Sequence, residues 1–133
     1  WVIGDGRNFV NIMQDLAARD VKPSVVNDQI GRLTFTDTLA RGIRHLLETG
    51  APYGTYNLTN EGQPVSWADI AKIVFEKSGK SPSDVQPVST AEYFADKPNT
   101  AQRPRQSTLN LAKIERTGFI PENWHDKLNN LFG

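Results

Sequence analysis

Trp1-Val2-Ile3-Gly4-Asp5-Gly6-Arg7-Asn8-Phe9-Val10-Asn11-Ile12-Met13 carries a short apolar run, a turn built on two glycines, and then apolar residues at helical spacing. Phe9, Val10, Ile12, Met13, Leu16 and Ala17 continue that spacing, so the stretch reads as strand, tight turn and helix. The same alternation recurs downstream. Val25-Val26 follows Pro23 and reads as a short strand before the turn-like Asn27-Asp28-Gln29, and Thr36 caps a helix whose Leu39, Ala40, Ile43, Leu46 and Leu47 form one apolar face up to Gly50. Tyr53 to Leu58 alternates as a strand, with Asn60-Glu61-Gly62 as the turn after it.

Ser66 and Asp69 have capping-box spacing, and Trp67, Ile70, Ala71, Val74 and Phe75 give the helix they open a buried stripe ended by Gly79. Pro82, Pro87, Pro98 and Pro104 break the next stretch, which leaves room for a short strand near Val85 and a helical turn from Ala91 to Phe94. Asn110 caps a short helix ending near Gly118, and Trp124 to Phe132 forms a last amphipathic helix. Strands alternating with helices imply α/β, but about four short strands are too few for a complete doubly wound sheet.

With 133 residues, 38% of them hydrophobic, the length suits one core and is short for two. The chain starts at Trp1 with no basic-then-apolar leader before it, and reads as a piece of a longer polypeptide. Fifteen basic residues balance fifteen acidic ones and are scattered along the chain, which argues against nucleic-acid or anionic-membrane partners. No apolar run approaches the roughly 18 residues of a membrane span, and a cytoplasmic location is the expectation. The absence of cysteine removes disulfides, thiolate nucleophiles and cysteine-based zinc sites; His45 and His125 are far apart, so no metal site is indicated.

Two motifs imitate catalytic ones. Gly4-Asp5-Gly6-Arg7-Asn8-Phe9 lies between strand and helix, with Asp28 about twenty residues on, where a dinucleotide fold places its ribose-binding acid. Phe9, however, replaces the third glycine that lets helix and strand pack closely. Tyr93-Phe94-Ala95-Asp96-Lys97 has the Tyr-x-x-x-Lys spacing in which a lysine charge favours a phenolate. Pro98 follows at once, in a proline-rich stretch with no phosphate-binding turn upstream. No catalytic residue is assigned within these residues.

Several stretches together resemble the C-terminal half of the dTDP-4-dehydrorhamnose reductases, which are extended short-chain dehydrogenases. Trp1-Val2-Ile3-Gly4 leading to Asn8-Phe9 resembles that family's Trp-Val-Tyr-Gly and Asn-Phe. Val26-Asn27-Asp28-Gln29-Ile30-Gly31, Gly54-Thr55-Tyr56-Asn57-Leu58 with Ser66-Trp67, and Arg103-Pro104-Arg105-Gln106-Ser107-Thr108-Leu109 follow in family order, closed by Trp124 and Leu128 to Phe132. The resemblance implies an α/β fold: the small C-terminal substrate-binding lobe of an NAD(P)-binding, Rossmann-type enzyme, with the Rossmann half outside this sequence. On that reading residues 1–133 are one substrate-binding piece, and residues 1–20 form a strand-helix unit that joins the Rossmann sheet. NADPH or NADH would be held by that other half, none is expected on these residues, and the chain alone is expected to be inactive. The parent would reduce dTDP-4-dehydro-L-rhamnose to dTDP-L-rhamnose for cell-surface polysaccharide.

A nucleoside diphosphate needs cationic forks, amide donors and a flat surface. Arg103 and Arg105 present bidentate guanidinium groups to phosphate, Gln29 and Asn8 offer amides, Trp1 and Phe9 offer aromatic faces, and the resemblance adds Ser107. Phe9 also suits a helix's core face, and Asn8 suits a helix cap. The family's Tyr is Ile3 here, the proline usual before Thr34 is Leu33, and Asn130 stands where metal-bridged dimers carry an acid, which argues against such a dimer. Two other readings remain open: a non-catalytic regulatory subunit resembling the methionine adenosyltransferase beta subunit, and a lobe of a sugar-nucleotide epimerase or dehydratase. An apolar surface left where the Rossmann half docks would lead the chain to self-associate into a homo-oligomer.

Overall fold

The computed structural model describes residues 1–133. Six strands of two or three residues alternate with six α-helices: β1 (Val2–Ile3), α1 (Phe9–Ala18), β2 (Ser24–Val26), β3 (Ile30–Gly31), β4 (Thr34–Phe35), α2 (Thr36–Glu48), β5 (Val65–Ser66), α3 (Trp67–Lys77), β6 (Gln86–Val88), α4 (Thr90–Phe94), α5 (Ala112–Glu115) and α6 (Trp124–Asn130). The class is α/β. Where the length suggests one core, the chain gathers into two compact units, each assembled from separated segments.

The first unit comprises Trp1–Gly6, Arg32–Gln63 and Thr108–Gly133. In it β1 pairs parallel with β4, with Val2 opposite Thr34 and Ile3 opposite Phe35. Gly4 is required by close approach, because a Cβ there would meet the Thr36 side chain at 2.7 Å. Ile3, Leu33, Phe35, Ile114, Trp124 and Leu128 are buried in this unit. Asn60, with no exposed surface, ties its elements together: Oδ1 accepts the Phe35 N–H at 2.8 Å, and Nδ2 donates to Thr38 Oγ1 and the Glu122 carbonyl, each at 3.0 Å. A surface cluster joins α2 to α6, with Lys127 reaching Asp37 at 2.6 Å and Arg41 paired with Glu122.

Three expectations fail in this unit. Thr36 is the first helical residue of α2 instead of its cap; Phe35 holds the cap position without a side-chain bond. Tyr53 to Leu58 forms no strand. Its polar groups are met one by one, as where Tyr56 donates to the Pro52 carbonyl and Lys113 to the Thr55 carbonyl, while the Tyr53 ring is fully exposed. The packed face of α2 is also displaced: Thr38 and Gly42 are buried, whereas Ile43 and Leu47 are 57% and 77% exposed. Gly42 explains the shift, since a Cβ there would stand 2.4 Å from Leu58.

The second unit comprises Arg7–Gly31 and Pro64–Ser107. Here β2 pairs parallel with β6 from Ser24–Gln86 to Val26–Val88, and β3 pairs antiparallel with β5. The capping box is present: Ser66 Oγ accepts the Asp69 N–H, and the Asp69 carboxylate accepts the Ser66 N–H. That box starts α3, whose Ile70, Ala71, Val74 and Phe75 are buried; α1 packs against α3 through its own buried Val10, Met13 and Ala17. Burial of such side chains contributes about 1.5–3 kcal/mol each for the larger ones and holds the unit together. β3 and β4 were not legible in the sequence, because each is only two residues long and its partner lies far along the chain.

Candidate functional site

Four elements of the second unit converge on an apolar cavity of about 250 Å³. Phe9 and Met13, one turn apart on α1, form one side; Trp67, at the first position of α3, meets Phe9 with ring centroids 4.5 Å apart and planes tilted by 54°. β2 supplies Val25 and Val26, and α4 brings Tyr93 and Phe94, whose rings meet edge to face at 5.0 Å. Gln29, only 6% exposed, and Arg103 complete the lining.

Phe94 and Arg103 also line a second cavity of about 440 Å³, which adds Lys97 and Arg105. The guanidinium groups of Arg103 and Arg105 make no hydrogen bond or ion pair within the chain. Unpaired guanidinium groups beside a cavity suit an anion with planar oxygens. An aromatic cleft opening onto three cations therefore has the chemistry to hold a flat ring attached to a phosphate chain.

The two sequence motifs meet through the backbone. The Ile30 N–H donates to the Arg105 carbonyl at 2.8 Å, and the Ser107 N–H donates to the Ile30 carbonyl at 2.8 Å. The arginine stretch is thus pinned alongside β3, directly after Asn27-Asp28-Gln29. Behind the cavity, Asp28 accepts both the N–H and the hydroxyl of Thr90, at 2.8 and 2.6 Å, while Gln29 Nε2 donates to Thr90 Oγ1 at 3.1 Å. The Thr90 hydroxyl is the leading influence on Asp28 and holds its carboxyl below the usual value, outweighing burial, with Arg105 adding to the effect.

Of the six residues proposed from sequence, Phe9, Gln29 and Arg103 line one cavity. Asn8 caps α1, its Oδ1 accepting the Val10 and Asn11 N–H groups. Ser107 is held by its backbone N–H, and Trp1 lies in the first unit. Trp67, Tyr93, Phe94 and Lys97 were missed. Trp67 was read as part of a buried helix stripe and of a family motif, with no binding role, although it is half-buried at the helix start, and Tyr93 and Lys97 were considered only as a catalytic pair.

Lys97 Nζ sits 3.4 Å from the centroid of the Tyr93 ring and donates to the Tyr93 carbonyl, so its charge faces the ring and backbone rather than the phenol oxygen. Nor do the residues that imitate a dinucleotide fingerprint fit one. Gly4 is taken up by its approach to Thr36, and the Asp28 carboxylate is committed to Thr90. His45 bonds the Thr117 carbonyl and packs by Phe119.

The RmlD substrate binding domain matches this chain over residues 1–133. The spore coat polysaccharide biosynthesis protein SpsK of Bacillus subtilis is 36% identical over 129 residues, covering 96% of this chain and 43% of that protein. The dTDP-4-dehydrorhamnose reductase of Mycobacterium tuberculosis is 34% identical over 131 residues, covering 96% of this chain and 41% of the enzyme. Among solved structures, dTDP-4-dehydrorhamnose reductase from Bacillus anthracis in complex with NADP superposes with a TM-score of 0.85 at 34% identity, over 99% of this chain and 45% of that one. The chain spans less than half the length of these relatives. A match to the whole chain, joined to close superposition on a reductase, establishes that this chain belongs to the RmlD substrate binding domain family.

Proposed function

We propose that this chain is the sugar-nucleotide-binding part of an NAD(P)H-dependent reductase that converts dTDP-4-dehydro-L-rhamnose to dTDP-L-rhamnose. The observation that carries the reading is the junction of the aromatic cavity with the cationic one at Phe94 and Arg103. The base lies in the cleft walled by Phe9 and Trp67 on one side and Tyr93 and Phe94 on the other, and the diphosphate runs to Arg103, Arg105 and Lys97. Together the two cavities match the size of pockets that enclose small ligands. Gln29, Asn8 and Ser107, which belong to the same unit as the two cavities, support the site.

The whole protein's chemistry needs a hydride for the C4 carbonyl and a proton for its oxygen. The dinucleotide supplies the hydride when bound to the rest of the longer protein, while residues of this chain bind and orient the substrate. The exposed Ile43 and Leu47 of α2 support a contact with that remaining part.

Calorimetric titration tests the binding role. dTDP should bind, NADPH should not, and Arg103→Ala should weaken dTDP by about tenfold or more, the cost of losing a charge-assisted contact to phosphate. Binding of NADPH without response to dTDP would refute the reading, and silence toward every ligand would mean either that the site needs the rest of the longer protein or that the chain serves a regulatory subunit.

A further inference from the structure

We propose that Thr90 is a positioning residue for capture of the base: its hydroxyl latches α4 to the turn after β2 and so holds Tyr93 and Phe94 as the closing wall of the aromatic cavity. The inference rests on the placement of the base given above and adds to it the device that shapes the pocket.

α4 has five residues and none of them is buried. A helix of one turn and a half does not hold itself together in water, because its nucleation cost is barely repaid by its few hydrogen bonds. Its own capping box, Ser89 with Glu92, fixes the local fold of α4 but joins it to nothing else. Thr90 makes that junction. The Asp28 carboxylate only accepts, so it takes both the N–H and the O–H of Thr90, and the same Thr90 oxygen then accepts from Gln29 Nε2. One side chain at the start of α4 is therefore bound to two successive residues of the turn that follows β2. Three and four residues further on, Tyr93 and Phe94 line the cavity, and Lys97 folds back onto Tyr93. Gln29, whose amide nitrogen is spent on this latch, acts on the ligand through Thr90 and α4.

A hydrogen bond to a charged acceptor is among the stronger ones in proteins, and removing the hydroxyl should release the wall by roughly tenfold or more. Thr90→Val keeps the shape and the backbone N–H but loses the hydroxyl; Thr90→Ser keeps the hydroxyl. Amide hydrogen exchange on the unliganded 133-residue chain should be about tenfold faster or more over residues 90–97 in Thr90→Val, unchanged in α3, and restored to near wild type in Thr90→Ser. Calorimetry should show dTDP binding weakened by about tenfold in Thr90→Val and recovered in Thr90→Ser, while inorganic pyrophosphate, which lacks a base, weakens by no more than about threefold because Arg103 and Arg105 lie outside residues 90–97.

Unaltered exchange over residues 90–97, or dTDP affinity untouched by Thr90→Val, overturns the proposal. So does an equal loss of dTDP and pyrophosphate, which would mark a general structural role. If the exchange result holds while wild type ignores dTDP, the latch stands as a feature of the fold, and it is the placement of the base, with the capture role that rests on it, that is refuted.

Discussion

Replacing Asn60 by alanine should cost the chain about 2–5 kcal/mol of stability. Asn60 is fully buried and makes one bond as acceptor and two as donor. The Glu122 carbonyl would keep the Glu61 N–H at 3.0 Å, so two groups lose most: the Phe35 N–H and the Thr38 hydroxyl oxygen, which is itself fully buried. An unsatisfied buried group costs about 1–3 kcal/mol, and two of them account for most of the figure. That is a large part of the roughly 5–15 kcal/mol that holds a small domain together. Urea denaturation followed by far-UV circular dichroism reads the change: with m near 1–3 kcal/mol per molar, a loss of about 3 kcal/mol lowers the midpoint by about 1 M or more. Thr38→Val combined with Asn60→Ala should cost less than the sum of the two changes, since both remove one shared bond. A midpoint shift below about 0.3 M, or strict additivity, would refute the idea that Asn60 organises the first unit.

The remaining predictions concern solubility and pH. Changing Ile43 and Leu47 to lysine removes exposed apolar surface from α2, so sedimentation should show less self-association than wild type, with stability held within about 0.5 kcal/mol; a wild type that is monomeric at high concentration contradicts this. The hydrogen bond from Glu115, then burial and mutual repulsion, push the Glu61 carboxyl above 4.5 against the pull of Arg32. A raised folded value means that Glu61 contributes its stability below 4.5 and loses it as pH rises through that folded value, so Glu61→Gln should flatten the fall in melting temperature above pH 4.5. Asp37 and Glu122 behave oppositely: burial raises them, but the bonds and charges of Lys127 and Arg41 prevail and hold both low. Their contribution is present above the ordinary carboxylate range and lost as pH falls through their lowered folded values, so Lys127→Met should reduce the loss of stability on acidification.

What was legible in the sequence depended on distance along the chain. The Ser66–Asp69 box and the apolar stripe of α3 depend on residues within one or two turns, and both are present as read. β3 and β4 carry no such local mark, since two residues define no alternation and their pairing partners are 30 or more positions away. Tyr53 to Leu58 alternates like a strand, but no neighbouring strand takes up its backbone groups. On α2 the apolar pattern was real and its meaning was misread, because the face that packs is set by the absence of a side chain at Gly42. At the cavity, Phe9, Gln29 and Arg103 were singled out by the family motifs together with their chemistry; Trp67, Tyr93 and Phe94 become a wall only once α1, α3 and α4 converge.

The most direct test of the central claim is a nitrogen-15 amide spectrum of the chain titrated with dTDP. The account predicts shifts concentrated at Phe9, Val25 to Gln29, the Trp67 indole and residues 90–105, with the first unit's apolar surface around Leu46 to Tyr56 unmoved. Shifts confined to Leu46 to Tyr56, or none at saturating ligand, would contradict it.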